Sequence, residues 1–272
     1  MRVAFQGEPG AYSEQAVFGY FGPVETEPCE SFDKVFETVS GGRADVALIP
    51  IENSLAGSIH QNYDLLLRHH LYIVGEHFLR VRHCLIAAPG VTKAEIKKVI
   101  SHPQALGQCA GYLRGLGVKT EAVYDTAGSV KMLNESGECE VAAIASRRAA
   151  ELYGMQILEE GIEDNPENYT RFLAIQPQPT RPEGEAKTSI VFTLKNMPGA
   201  LFKALSVFAL RDIDLTKIES RPLQGQPWEY LFYIDFVGAL HESHVSKALD
   251  HLGEYAPMLR VLGSYLRMKQ AG

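Results

Sequence analysis

The sequence contains no run of about 18 apolar residues, so it predicts no helix that spans a membrane. Its first 15 residues, MRVAFQGEPGAYSEQ, have no apolar segment of the length that a secretory signal needs, because Glu8 and Glu14 interrupt them. The four cysteines lie far apart and form no C-x-x-C pair, which indicates reduced thiols. These absences predict a cytoplasmic protein with no membrane partner.

Basic residues are fewer than acidic ones. The chain has 26 lysines and arginines against 33 aspartates and glutamates, a formal net charge of −7. Nucleic acids and anionic membranes bind to a basic face. The composition therefore predicts no nucleic-acid partner, and any anionic ligand must be held by local groups.

Common site motifs are also missing. The sequence has no G-x-G-x-x-G, no Gly-Lys-Ser/Thr of a P-loop, no H-E-x-x-H and no G-x-S-x-G. The glycine-bearing segment GEPGAYS at residues 7–13 therefore gives little support for nucleotide binding, and a close backbone turn is the simpler interpretation. We expect no cofactor and no metal.

What the sequence does contain is an alternation of short β-rich runs with helical patterns over residues 1 to about 176. The runs predicted as strands are residues 2–7, 45–51, 74–88 (broken), 97–101, 141–146 and 171–176. Apolar residues at helical spacing lie between them, as in SFDKVFETV and SIHQNYDLLL. This order is typical of the α/β class.

Two polar clusters, IPIENSLAGSI (49–59) and VISHPQALGQC (99–109), each follow a buried-looking strand and open a helix. We expect Ser58 as the N-cap of one helix and Pro103 at the first position of the other. In open α/β sheets, ligands collect beyond the carboxyl ends of the strands. The sequence therefore predicts two lobes facing a cleft, about 1–76 with 156–180, and 77–155.

A second domain is predicted after a linker rich in proline and charge at residues 177–186. Strand and helix patterns follow in the order βαββαβ over residues 187–272, with Gln-Gly-Gln (224–226) between the two middle strands. This is the α+β ferredoxin-like arrangement. Such a small sheet with exposed edges commonly gains stability by pairing with a copy of itself.

The candidate chemistry is polar and largely uncharged, and it includes the junction NYTRF (168–172), where a polar loop meets a strand. Its members are Asn53, Ser54, Ser101, Gln108, Thr126 and Thr170, beside one fixed cation, Arg171. This set offers no strong base, activated nucleophile or metal site. It suits binding an anionic small molecule, or a downhill reaction that needs one donated proton and one positioned charge.

Taken together, the motifs resemble those of the prephenate dehydratase family. They are VAFQGEPGAYSE, IENSLAGSI, SHPQAL, DTAGS and NYTRF, followed by GALFKAL (199–205) and IESRP (218–222) of a regulatory ACT domain. The resemblance implies a two-lobed, periplasmic-binding-protein-like catalytic domain at 1–180 and an ACT domain at 187–272. It also implies a monofunctional enzyme of phenylalanine biosynthesis that converts prephenate to phenylpyruvate, carbon dioxide and water without a cofactor.

The resemblance implies residue roles as well. Thr170 would donate a proton or hydrogen bond to the leaving hydroxyl, Arg171 would pair with a substrate carboxylate, and Phe172 would pack in the substrate site. Catalytic and substrate contacts would also come from Asn53, Ser101, Gln108, Ser54 and Thr126. The effector L-phenylalanine would bind in the ACT domain at Gly199, Ala200, Leu201, Phe202, Glu219, Ser220, Arg221 and Pro222.

Two alternatives stay open at this point. An arogenate dehydratase would act on the transaminated substrate through the same motifs, and a non-catalytic amino-acid-binding regulator would share the two lobes and the sensor domain. We further expect a homodimer or homotetramer, assembled through the ACT and catalytic domains.

Overall fold

The computed structural model describes residues 1–223 and 229–268. The predicted Gln-Gly-Gln segment at 224–226 lies outside these residues. Within them the chain forms three β-sheets with helices packed against them. No helix of the described part is both long enough and apolar enough to cross a bilayer.

The elements of the N-terminal and central parts mix strands and helices along the chain, with several strands in direct succession. They are β1 (Arg2–Gln6), α1 (Tyr12–Phe21), β2 (Glu25–Cys29), α2 (Phe32–Ser40), β3 (Val46–Asn53), β4 (Gly57–Ser58), α3 (His60–Arg68), β5 (Tyr72–Arg80), β6 (Cys84–Ala87), β7 (Lys98–Ser101), α4 (Pro103–Gln108), α5 (Ala110–Leu116), β8 (Lys119–Ala122), α6 (Thr126–Ser136), β9 (Val141–Ala145), α7 (Arg147–Leu152), β10 (Gln156–Glu160) and β11 (Tyr169–Gln176).

These strands build two sheets, one for each predicted lobe. The first has the order β2-β1-β3-β11-β5, with β4 beside β3, and the second has the order β10-β6-β9-β7-β8. Strand β1 is parallel to β2 and β3, and β7 is parallel to β8 and β9. The chain thus enters the second sheet after β5 and returns to the first with β11, which confirms the predicted two-lobed class.

Near-continuous apolar runs place the central strands inside their lobes. All five residues of β9, VAAIA, are buried, and six residues of β3 are buried in succession. Strands that are covered by helices on both faces have such continuous apolar runs, whereas a half-exposed strand alternates apolar and polar residues. The ends of these central strands, where the polar clusters begin, are therefore held rigidly.

The C-terminal elements are β12 (Ala186–Thr193), α8 (Ala200–Ala209), β13 (Leu215–Pro222), β14 (Tyr230–Val237), α9 (Ser243–Tyr255) and β15 (Leu259–Leu266). Their antiparallel sheet has the order β13-β14-β12-β15. One face packs on the two helices through an apolar core that includes Ile190, Phe192, Phe208 and Phe236. The predicted βαββαβ arrangement is confirmed.

The described chain divides into two compact units. The first comprises Met1–Arg68 and His77–Phe172, and the second comprises His69–Glu76 and the chain from Leu173 onward. The division falls inside strands β5 and β11, so each of these strands contributes to both units.

One of the two predicted helix starts differs from the structure. Ser58 belongs to the short strand β4, and α3 begins at His60, so Ser58 is not an N-cap. Pro103 does occupy the first turn of α4, where His102 is the N-cap. The sequence patterns also missed the short strands β2, β8 and β10, because ETEPC, KTEA and QILEE show few buried apolar positions.

Candidate active site

A cavity of about 320 Å³ lies in the first unit, where segments from both lobes meet. It is lined by Gln6, Gly7, Ala11, Tyr12, Ser13, Pro50, Asn53, Ile59, Val81, His83, His102, Gln104, Ala105, Gln108, Tyr124, Asp125, Thr126, Asn168, Thr170 and Phe172. Five of the predicted catalytic and substrate-binding residues are among them: Asn53, Gln108, Thr126, Thr170 and Phe172.

Asn53, the last residue of β3, organises the part of the cavity around Thr170. Its Nδ2 donates to Thr170 Oγ1 at 3.0 Å, to Asn168 Oδ1 at 2.8 Å and to the Tyr169 carbonyl at 3.2 Å. Its Oδ1 accepts from the backbone N–H groups of the next turn, at positions 55 and 56. Because Thr170 Oγ1 accepts from Asn53, the threonine hydroxyl hydrogen stays available for a ligand.

Asn168 adds an amide donor to the same wall. The side chain is fully buried, and its Oδ1 accepts from Asn53. Its Nδ2 has no hydrogen-bond partner among the described residues. An unpartnered buried donor is costly, so a ligand oxygen bound in this cavity would satisfy it.

Tyr12, His83 and Gln108, which also line the cavity, form a chain of hydrogen bonds. His83 Nε2 lies 2.8 Å from Gln108 Oε1, and His83 Nδ1 lies 2.8 Å from Tyr12 Oη. Since the amide oxygen can only accept, Nε2 carries the imidazole hydrogen and Nδ1 is left as an acceptor. The Tyr12 hydroxyl thus lies between two acceptors, His83 Nδ1 and the Arg82 carbonyl at 3.0 Å. Burial lowers the pKa of His83 and raises the pKa of Tyr12 well above its usual value. Both groups are therefore neutral at physiological pH.

Two helix N-termini also border the cavity. Ala11, Tyr12 and Ser13 at the start of α1 line it, and the Ala11 N-cap offers no side-chain hydrogen bond to the first turn. Asp125 and Thr126 line it at the start of α6, where Asp125 Oδ1 caps Gly128 N at 2.8 Å. The first-turn N–H groups and the dipole of α1 favour an anion at its end. Both helix starts also hold a carboxylate, because Glu14 in the first turn of α1 accepts from Gly10 N through Oε2 at 2.8 Å.

Three predicted site residues do not line the cavity. Arg171 is buried, and because neighbouring strand residues face opposite sides of a sheet, it lies on the other face of β11 from Thr170 and Phe172. Ser101 Oγ is fully buried and donates to the Ile144 carbonyl at 2.6 Å. Ser54 Oγ bonds the Glu167 carbonyl and the Tyr169 N–H at the loop beside β11. Both serine hydroxyls therefore bond backbone groups of the segments around the cavity and do not line it.

The sequence patterns missed Tyr12, His83, Asn168 and Asp125 as site residues. Tyr12 and Asp125 lie inside two of the family motifs, VAFQGEPGAYSE and DTAGS, at helix starts after a strand. Asn168 opens NYTRF itself. The sequence around His83 contains no motif that would mark it as a site residue. Its hydrogen bond to Tyr12 forms only because the chain folds back over 71 residues.

The predicted effector residues lie at the start of helix α8 and at the end of strand β13. Gly199 is the left-handed N-cap of α8, with φ 78°, and Ala200, Leu201 and Phe202 form the first turn. Glu219, Ser220, Arg221 and Pro222 end β13, an edge strand of the described sheet. Phe202 is 77% exposed and Ile218 48% exposed, so large apolar groups face outward from both elements.

Comparison with known proteins identifies both parts of the chain. The family model for prephenate dehydratase matches residues 3–180, and that for the ACT domain matches residues 188–254. An Arabidopsis thaliana relative, arogenate dehydratase/prephenate dehydratase 1, chloroplastic, is 49% identical over 97% of this chain and 72% of its own.

Two solved structures share the fold of the whole chain. The structure of prephenate dehydratase from Arthrobacter aurescens in complex with L-Phe is 33% identical, with a TM-score of 0.89 over 98% of this chain and 90% of its own. A structure described as a novel type of quorum quenching acylase is 38% identical, with a TM-score of 0.93 over 98% of both chains.

The predicted cytoplasmic location is wrong by the same comparison. The Arabidopsis relatives at 49% and 51% identity are named as chloroplastic, not as cytoplasmic. Free, widely spaced cysteines indicate a reducing compartment, but they do not distinguish the cytoplasm from other reducing compartments. The predicted enzyme class and the two-domain family assignment are confirmed: the chain belongs to the prephenate dehydratase family and carries an ACT domain after its dehydratase part.

Proposed function

We propose that the cavity binds prephenate and converts it to phenylpyruvate, the step that commits the ring to phenylalanine. The carbon–carbon bond to the ring carboxylate breaks and releases carbon dioxide. The electron pair enters the ring as the carbon–oxygen bond to the hydroxyl breaks, and the departing hydroxide takes up a proton and leaves as water. The hydrogen bond from Asn53 Nδ2 to Thr170 Oγ1 carries this proposal, because it directs the Thr170 proton toward a ligand.

Thr170 acts in this scheme as the donor to the departing oxygen. A threonine hydroxyl is a weak acid, so most of its effect is to stabilise negative charge as it develops on that oxygen. Preorganised donors of this kind typically contribute about 10²–10³ in rate. Aromatisation supplies the driving force, so no stronger acid is required.

The substrate carboxylates bind by hydrogen bonding rather than by ion pairing. The start of α1, at Tyr12 and Ser13, offers backbone N–H groups to one carboxylate. Asn168 Nδ2 offers a buried donor beside Thr170. Gln108 and Thr126 line the same cavity and complete the polar contacts. Arg171, on the other face of β11, supports the strand that carries Thr170.

Hydrolysis of an acyl group is not favoured by this geometry. The histidines that line the cavity are His83, bonded to Tyr12 and Gln108, and His102, whose Nδ1 accepts from Gln104 N. Within the described residues, neither forms a hydrogen bond with a serine, threonine or cysteine side chain. A nucleophile activated by an imidazole would need that contact.

We propose that L-phenylalanine binds the ACT domain and inhibits the enzyme. The supporting observation is the Arthrobacter aurescens relative, which was crystallised with L-Phe. The site would comprise Gly199–Phe202 at the start of α8 and Glu219–Pro222 at the end of β13. Inhibition requires that phenylalanine bind one conformation of the protein better than another.

Arg221→Ala tests this effector site. We expect normal basal turnover and an inhibitory concentration raised at least about tenfold, the effect of losing one charge-assisted hydrogen bond. A matched variant is Arg211→Ala just after α8, where the guanidinium donates to the Val207 carbonyl at 2.8 Å. Equal inhibition of both variants and the unchanged protein would remove Arg221 from the effector site.

The same elements support a homodimer or homotetramer. Strand β13 is an edge of the described sheet, and Ile218 on this strand is exposed, as are Leu201 and Phe202 in the first turn of α8. Unprotected edges and exposed apolar side chains are typical of surfaces that pair. The dehydratase domain, residues 1–180, and the ACT domain, residues 187–272, would then both be needed for regulated activity.

The experiment that tests the function is phenylpyruvate formation from purified protein and prephenate, without added cofactor, with and without L-phenylalanine. We expect turnover that phenylalanine suppresses. Light scattering of the same sample should give at least twice the chain mass of 30.0 kDa. Absence of turnover would favour a binding protein, and a monomer would exclude the proposed assembly.

A further inference from the structure

The hydrogen-bond chain through His83 has one hydrogen too few. It joins the Arg82 carbonyl to the Tyr12 hydroxyl at 3.0 Å, this hydroxyl to His83 Nδ1 at 2.8 Å, and His83 Nε2 to Gln108 Oε1 at 2.8 Å. The two oxygens at the ends of the chain can only accept. A hydroxyl and a neutral imidazole therefore supply two hydrogens to three contacts.

One added proton satisfies the whole chain. In an imidazolium both ring nitrogens donate, Nε2 to Gln108 Oε1 and Nδ1 to Tyr12 Oη, which leaves the tyrosine hydrogen for the Arg82 carbonyl. A neutral imidazole reaches the same count only if the Gln108 amide is reversed, and its oxygen would then face the cavity and repel a carboxylate. The imidazolium thus completes the contacts and leaves the Gln108 amide N–H groups for an anion.

The cavity also needs a positive charge if it is to hold a dianion. Among the described residues that line it, none is lysine or arginine, Asp125 is acidic, and the imidazoles are those of His83 and His102. His102 is half-exposed, and its Nδ1 accepts from Gln104 N at 3.2 Å. His83 is only 2% exposed. A charge on His83 is screened less by water and acts more strongly on a ligand in the cavity.

The surroundings of His83 contain a carboxylate that favours a cation. The titratable groups of the elements around this imidazole are Tyr12 on α1, Cys84 on β6, Cys109 at the end of α4, and Glu163 and Asp164 in the loop after β10. Burial raises the pKa of Tyr12 well above its usual value, that of Cys84 to about 11 and that of Cys109 to about 12, so these three stay neutral. Glu163 Oε2 accepts from His83 N at 2.9 Å, and its charge raises the pKa of the imidazole.

We propose that His83 takes up one proton from solvent when prephenate binds and holds it as an imidazolium next to Gln108. The inference rests on the proposed dehydratase function, because it takes the dianionic substrate as the ligand. The proton stays on the imidazole while carbon dioxide and water leave, so it is not the one that departs with the hydroxyl. His83 is a positioning residue: its charge and its Nε2–H fix the Gln108 amide toward the substrate.

The pH dependence of KM tests this proton uptake. Burial lowers the pKa of His83 in the protein, and a bound dianion raises it again. Between these two values each binding event takes up a proton, so affinity is lost as the pH rises. We expect KM for prephenate to rise up to about tenfold per pH unit above about pH 7. The value of kcat should stay constant over the same range, because it reports the groups of the complex.

Two histidine variants assign the uptake to one imidazole. His83→Gln keeps a side-chain N–H donor for Gln108 but cannot titrate, so we expect KM at about pH 7 to be raised about tenfold and to be independent of pH. His102→Asn removes the other imidazole of the lining, and asparagine is a favoured N-cap for α4. This variant should keep the dependence of KM on pH.

Tyr12→Phe provides a second test that keeps the ring contact with His83. It removes the acceptor of Nδ1–H, so the pH dependence of KM should become weaker. A KM that does not change with pH in the unmodified protein, a dependence that persists in His83→Gln, one that disappears in His102→Asn, or one that is unaltered in Tyr12→Phe would each overturn the role of His83. An unmodified protein that forms no phenylpyruvate at any pH would instead overturn the proposed function, and this inference with it.

Discussion

At the scale of single residues, the decisive contact is the one between Asn53 and Thr170. Thr170→Val removes the hydroxyl while keeping the branched shape of the side chain. We expect kcat to fall about 10²–10³-fold with little change in KM, because the lost donor acts on the departing oxygen rather than on the bound substrate. Steady-state kinetics with prephenate measures both values.

Thr120→Val is the matched control for this change. Thr120 lies on the exposed strand β8 and does not line the cavity, so its loss should leave kcat unchanged. The fold should tolerate Thr170→Val, since Asn53 Nδ2 keeps the Asn168 and Tyr169 oxygens as acceptors. A Thr170→Val enzyme with near-normal kcat would exclude the hydroxyl from the mechanism.

The sequence predicts individual site residues well where the motif lies at a strand end. Thr170 and Asn53 follow this rule, and both line the cavity. Arg171 does not line the cavity, because strand alternation places its side chain on the opposite face of β11 from Thr170. Asn168 and His83 required the folded chain, since their importance comes from partners about 115 and 25 residues away in sequence.

At the scale of elements, a side chain decides where a helix begins. The Asn53 Oδ1 accepts from the N–H groups of Leu55 and Ala56, which closes a turn directly after β3. The chain then pairs Gly57–Ser58 with the end of β3 before α3 starts at His60. Propensity favoured Ser58 as a cap, but the local hydrogen bonds of Asn53 make it part of a strand.

The start of α1 depends on a close approach between helices. Gly10 has φ +92°, and a Cβ there would lie 2.9 Å from Ala149 Cα in α7. Its carbonyl also accepts from Ser146 Oγ at 2.6 Å, the N-cap of α7. This contact joins elements of the two predicted lobes and positions the N–H groups that we assign to a substrate carboxylate.

Gly10→Ala should therefore both destabilise the protein and weaken substrate binding. We expect a loss of about 1–3 kcal/mol in the free energy of unfolding from backbone strain, with a raised KM for prephenate. Gly115→Ala is the control, because Gly115 is within α5 with open space around it, and alanine there should stabilise by about 0.5–1 kcal/mol. Similar unfolding midpoints for the two variants would show that the approach at Gly10 is relaxed.

At the scale of the whole molecule, the sequence indicates one boundary, at the linker, whereas each compact unit of the structure combines two separate segments of the chain. Composition predicts two domains separated by a linker at 177–186, and the family models follow the same division. The compact units instead place His69–Glu76 with the C-terminal part. Packing between segments that are more than a hundred residues apart causes this difference, and no local pattern in a sequence reports it.

One such interaction is a buried ion pair inside the second unit. Lys187 Nζ on β12 lies 2.9 Å from Glu76 Oε2 on β5, and the two side chains are 7% and 0% exposed. Glu76 Oε1 also accepts from Met268 N at 3.2 Å. The pair thus ties a strand of the dehydratase part to the first strand of the ACT sheet and to the segment that follows its last strand.

Lys187→Met should destabilise the protein by about 3–5 kcal/mol, because it leaves the Glu76 carboxylate buried without its cation. The double variant Glu76→Leu/Lys187→Met should recover much of this loss, since apolar groups of similar volume carry no charge to desolvate. The midpoint of urea unfolding measures both changes.

Lys98→Met, which breaks the exposed pair with Glu121, should cost no more than about 1 kcal/mol of unfolding free energy. If Lys187→Met were as mild as Lys98→Met, the buried pair would not hold the second unit together. If the double variant unfolded as early as Lys187→Met, the geometry at this position would matter more than the charge.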